Sequence, residues 1–129
     1  MKAIDTNILA RLILQDDARQ AALAATVMRE PVWVSVSVWL ELGWVLGKRL
    51  KLERAIVADA LSTLLTMVSV HVSDRDGIAW AIDRFRDGAD WGDMIHLIVN
   101  RDISECFVTF DRSIERIACD PPLPIETLA

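Results

Sequence analysis

No stretch of the sequence is apolar for long enough to cross a bilayer. The longest runs without a charge, such as residues 31–40, stop well short of the ~20 residues a membrane helix needs. No secretory leader is expected either, because the first residues pass straight into a short apolar run that ends in Asp5. Glycine and proline are scarce, at 5 and 4 residues, and no linker, internal repeat or low-complexity segment stands out. A Gly-rich phosphate loop, a Ser-His-Asp arrangement and a CxxC pair are all missing. That excludes the chemistries each would carry. The 2 cysteines, Cys106 and Cys119, make neither a disulfide framework nor a zinc knuckle; they read as buried free thiols in a reducing cytoplasm. Positive charge is also short. A net charge of −5 leaves no broad basic field, which counts against a simple nucleic-acid-coating module. It does not count against an enzyme whose acids are neutralised by cations, or against a basic partner.

What the chain does have is apolar bulk. Its 129 residues suit a single domain over 1–129, and 53% of them are hydrophobic, with a mean hydropathy of +0.30. With membranes set aside, that surplus implies a subunit or partner interface.

Ile8, Leu9, Leu12 and Ile13 recur at helical spacing, and Asp16-Asp17 marks a break before an Ala-rich helix over 18–29. Pro31 ends that helix, because the residue before a proline is pushed out of the helical region. Residues 32–36 are β-branched and aromatic and read as a strand. Ser37 is then a plausible N-cap for a helix over 38–50, with Glu41 near the place of a capping-box acid. Over 53–67, Ile56, Val57, Ala60, Leu61, Leu64 and Leu65 form an amphipathic stripe. Residues 68–72 are a second β-branched run. A helix over 74–86 follows, with Ile78, Ala81, Ile82 and Phe85 inward, and a turn at Asp87-Gly88-Ala89. Another helix runs from Asp90 to about Asn100; 106–110 is a strand, 112–118 a short helix, and 123–126 an edge strand. Strands alternating with helices in this way predict an α/β sandwich with a small central parallel sheet, covered by helices on both faces.

The acids carry the functional signal. Asp5 ends the first strand, and in parallel α/β sheets ligands sit beyond the carboxyl ends of strands. Asp is also a common helix cap, and taken alone Asp5 reads as a cap before it reads as catalytic. Glu41 has Ser37, Val38, Trp44 and Val45 three and four positions away, a largely apolar face without a Lys or Arg. A carboxylate is costly to bury there unless something pairs with it, and the capping-box spacing from Ser37 is one residue too long. Asp90 and Asp93 share a face at a helix start, where capping and the helix dipole account for both without any site. Asp111 follows a strand as Asp5 does, and it too could cap. Taken together, these acids fall where an α/β sheet opens its cleft, and hard oxygen donors are what Mg²⁺ or Mn²⁺ takes. Carboxylates converging there would repel one another without cations, so a divalent-metal site serving phosphodiester cleavage is the expectation. His71, in a strand, and His96, one turn after Asp93, receive no role.

Asp5-Thr6-Asn7 after an N-terminal strand, Glu41 on a helix behind a Val-rich strand, Asp90-Trp91-Gly92-Asp93 with Met94-Ile95-His96-Leu97, and Thr109-Phe110-Asp111-Arg112 together resemble the PIN domain family. Length and layout look most like a VapC-type toxin of a bacterial or archaeal toxin–antitoxin pair. The resemblance covers the whole chain and implies a PIN-like three-layer α/β/α sandwich. It also implies a Mg²⁺- or Mn²⁺-dependent endoribonuclease, a homodimer, and a cognate antitoxin bound across the active-site groove. By position, Asp5 and Asp93 would be the principal metal ligands. Glu41 and Asp111 would complete the acidic cluster, directly or through water, and Asp111 is included among the metal-binding residues. Asp90 stands where many members carry an acid. Thr6, Asn7 and Thr109 match polar positions that orient the carboxylates. Trp91 and Gly92 replace the commoner Phe and Ala, and neither change removes a ligand. Cleavage by water would leave 5′-phosphate and 3′-hydroxyl ends. Arg11, Lys48, Arg49 and Arg112 are candidates for attracting RNA, and Trp39 or Trp44 for lining a groove. The rival from another class is a receiver-like signalling module, which needs a Lys near its late strand; none stands near 107–110. A PIN nuclease of RNA processing, outside toxin systems, is the other alternative.

Overall fold

Lys2 and Ala3 form β1, and Asp5 turns the chain at once into helix α1 (Thr6–Leu14). The computed structural model describes residues 1–129. After α1 come α2 (Ala18–Val27), β2 (Val32–Trp33), α3 (Val36–Trp44), a π-helical turn (Val45–Arg49), α4 (Arg54–Thr66) and β3 (Val70–His71). The later elements are α5 (Arg75–Arg86), α6 (Trp91–Asn100), β4 (Phe107–Thr109), α7 (Arg112–Ala118) and β5 (Ile125–Thr127). The chain forms two compact units, Met1–Arg75 and Asp76–Ala129. No helix is long and apolar enough to cross a membrane.

In the first unit β1, β2 and β3 pair in parallel in that order, with Lys2 opposite Val32 and Val32 opposite Val70. In the second, β4 and β5 pair in parallel, Val108 opposite Glu126. The result is a helix-rich α/β architecture with a small parallel sheet, as the alternation of elements predicts.

The strands are shorter than the β-branched runs that announce them. The run over 32–36 yields two strand residues, because Ser35 (φ −68, ψ 159) turns the chain and its carbonyl accepts from the Val38 and Trp39 amides. Ser35, not Ser37, is therefore the N-cap of α3. Ser37 sits inside the helix, its hydroxyl 2.9 Å from that of Ser35. The fully buried Trp39 and Leu42 hold Val36 and Val38 helical against their strand preference.

Helix periodicity reads more faithfully. Val57, Leu61, Leu64 and Leu65 of α4 are buried, as are Ile78, Ala81, Ile82 and Phe85 of α5. Ile56 is the exception, 54% exposed at the edge of its stripe. The turn at Gly88 has φ 114, a conformation L side chains rarely adopt. Both cysteines are free, but Cys106 is half-buried and Cys119 exposed, so the expectation of buried thiols fails.

Candidate metal centre

In the first unit, the acid at the end of β1 is also a cap. Asp5 Oδ1 accepts from the Thr6 amide at 2.7 Å, and Thr6 itself is buried. The other Asp5 oxygen has no protein partner, and the side chain is exposed. Capping thus occupies half of this carboxylate and leaves the rest available. Because β1 and β2 are parallel neighbours, α1 and α3 leave the same edge of the sheet, and they pack against each other. Glu41 lies on α3, roughly 8 Å along the axis from its start. It is exposed and without a hydrogen bond or ion pair. The expected penalty of a buried carboxylate therefore does not apply to Glu41. Asn7 is exposed and lines a cavity of about 340 Å³ with Ile8, Arg11, Leu23 and other residues of α1 and α2. No hydrogen bond joins it to Asp5.

The second unit brings three acids within electrostatic reach of one another. Asp90 caps α6 (φ −70, ψ 129), its Oδ1 accepting from the Asp93 amide at 2.9 Å. Asp93 is half-buried in the first turn of α6, beside the buried Trp91, Met94 and Ile95. Its carboxylate receives no hydrogen bond or ion pair. Burial, and then the charges of Asp90 and Asp111, push its pKa up from the ordinary carboxylate value, against a smaller opposing pull from His96. Asp111 is exposed and caps α7, with Oδ1 accepting from the Ser113 amide at 2.8 Å and the Ser113 hydroxyl at 2.6 Å. Those two donors hold its pKa below the usual range. Thr109 Oγ1 accepts from the Asp111 amide at 2.9 Å and so fixes the backbone that presents the carboxylate.

Sequence reasoning passed over Ser113 and gave His96 no role. The first was legible in the Asp-x-Ser spacing of a helix cap. The second is perceptible only as a charge beside Asp93. Of the cations set aside for RNA, Arg11 is tied to Asp16 at 2.9 Å, whereas Lys48, Arg49 and Arg112 are exposed and unpaired.

No three His, Cys, Asp or Glu side chains stand together as a formed metal cage. The donor chemistry nevertheless fits a hard divalent cation. Asp93 is a half-buried carboxylate lacking any hydrogen-bond donor, and two neighbouring acids raise its proton affinity. A cation would relieve that repulsion as a proton does.

A model of the PIN domain matches residues 2–119. The chain belongs to the PIN domain family. No curated protein and no solved structure matches it. PIN domains are in general nucleases that use divalent ions such as Mg²⁺ or Mn²⁺ and bind RNA, and the small parallel sheet with its helices suits a PIN-like α/β/α fold. The matched span includes Asp5, Glu41, Asp90, Asp93 and Asp111, and it runs through both units.

Proposed function

We propose that this PIN domain is an endoribonuclease of the VapC toxin type, silenced by a cognate antitoxin and active as a homodimer in the cytoplasm. It folds as one functional domain over 1–129. The observation that carries the nuclease reading is Asp93: half-buried, without a donor, its proton affinity raised by Asp90 and Asp111. By the family resemblance Asp5, Asp93 and Asp111 would hold the Mg²⁺ or Mn²⁺ ion, with Glu41 completing the acidic set. Bound there, the ion would supply an activated water and offset charge on the scissile phosphate. The chain's own residues do the positioning. Ser113 keeps Asp111 ionised and Thr109 fixes its backbone, as the cap geometry supports. Asp90 fixes the first turn of α6 and, with Thr6 and Asn7 near Asp5, belongs to the supporting set.

Cleavage of total cellular RNA by the purified protein tests this, with Mg²⁺ or Mn²⁺ and with EDTA, beside Asp93→Asn. Discrete fragments ending in 5′-phosphate, dependent on metal and lost in the variant, are expected. A folded, metal-binding protein that leaves every RNA intact overturns the reading. The toxin assignment has its own test: a small basic protein encoded beside this chain should co-purify with it and suppress cleavage.

A further inference from the structure

Where α3 runs into the π-helical turn, one helix face changes character from acid to base. Glu41, Trp44 and Lys48 follow one another at steps of three and four residues and share one side of the rod, while Arg49 closes the π-helical turn and Lys51 follows just past its end. Trp44 is 53% exposed, although it is among the largest apolar side chains of the molecule. Lys48, Arg49 and Lys51 are all exposed, and none has a hydrogen bond or ion pair. No acid interrupts residues 42–52, in a protein with a net charge of −5.

Two backbone choices in this segment run against the needs of the fold. Lys51 has φ 55, the left-handed position after a helix end where glycine is the cheaper residue. Gly47 stands inside the π-helical turn, where a Cβ would meet nothing within 4 Å, so packing does not require glycine there. The first choice places a cation where a bare turn would do. The second leaves the backbone open between the indole and the ammonium groups, which allows close approach by a ligand.

We infer that this face is the docking track for single-stranded RNA: a base stacks on Trp44 while Lys48, Arg49 and Lys51 take the backbone phosphates. An exposed aromatic beside unpaired cations is the combination that binds single strands without sequence preference, because every base offers a π-face. The helix-end dipole favours Lys48 and Arg49 as well, but it explains neither the exposed indole nor the left-handed lysine. The inference rests on the nuclease reading, since Glu41 heads the same face and the track delivers the strand to it.

Binding of a short fluorescein-labelled single-stranded RNA of mixed sequence to the full chain, in EDTA to prevent cleavage, tests the track. Trp44→Leu should weaken binding about tenfold and remove most of the tryptophan quenching that RNA causes. Lys51→Gly relieves the left-handed strain, so it should fold at least as well as the parent. It should still weaken binding and lower the salt slope by about 1. Arg19→Gln, on the exposed side of α2, should change nothing. If the parent binds RNA and both track variants bind it equally well, the track is wrong and the nuclease stands. If the variants alter only the oligomeric state in light scattering, the face joins copies of the chain and the inference falls. If the parent neither binds nor cleaves RNA, the nuclease reading falls with it.

Discussion

Ser113 donates twice to one oxygen of Asp111, from its amide at 2.8 Å and its hydroxyl at 2.6 Å. Both bonds favour the ionised carboxylate and depress its pKa. The other oxygen has no protein partner and stays open toward a cation.

Ser113→Ala should therefore act on Asp111 without unfolding α7, because the amide bond remains. The Asp111 carboxyl, followed by carbon-detected NMR titration, should move up toward the ordinary range. Mn²⁺ affinity and cleavage should fall by about 10- to 100-fold, the usual cost of losing a support behind a metal ligand. An unchanged titration would mean that the amide alone holds the carboxylate.

Asp93 titrates in the opposite sense, and the sign sets a pH signature for the metal-free protein. Its folded-state pKa is raised, so the folded protein binds the proton more tightly than the unfolded one. The associated stability is full below the unfolded carboxylate pKa and is lost as pH rises through the folded value. The contribution of Asp111, whose pKa is lowered, is present above the unfolded value and is lost as pH falls through its folded value. Asp93→Asn should accordingly raise the metal-free Tm at neutral pH. It should also flatten the fall in stability between the unfolded and the folded pKa of this carboxyl, while abolishing cleavage. Mg²⁺ or Mn²⁺ should raise the Tm of the parent and leave that of the variant unmoved.

The fold was legible where a repeating pattern wrote it. Helical spacing placed the buried faces of α4 and α5, and alternation of elements gave the parallel α/β class. It failed where a single contact decides. Strand length was misread because β-branched Val36 serves in a helix once Trp39 and Leu42 of that helix are buried. The acids were legible as residues and as caps, since Asp5, Asp90 and Asp111 each open a helix. Their electrostatic state was not. The proton affinity of Asp93 depends on how far the fold buries it and how near Asp111 comes, both tertiary facts. For Glu41 the sequence implied burial, and the structure puts it in solvent.

Ile56 and Leu61 measure the same distinction in stability. Leu61 is fully buried, and Leu61→Ala should cost about 2–5 kcal/mol in chemical denaturation. Ile56, 54% exposed on the same helix, should cost under ~1 kcal/mol as Ile56→Ala. Equal costs would show that Ile56 is covered in solution by a second copy or a partner, which is what the apolar surplus of the chain implies.

Asp5 and Glu41 separate capping from catalysis. Asparagine caps a helix as well as aspartate does, so Asp5→Asn should retain the bond to the Thr6 amide and leave stability within ~0.5 kcal/mol of the parent. Glu41 has no partner to lose, and Glu41→Gln should be equally mild. If both acids serve the metal, each variant should still lose cleavage by at least about 100-fold, as expected when one group acting on developing charge is removed. Stability and activity then part company in both variants. Activity retained in Asp5→Asn alone would leave that residue only its cap. Retention in both would mean that neither acid holds the metal.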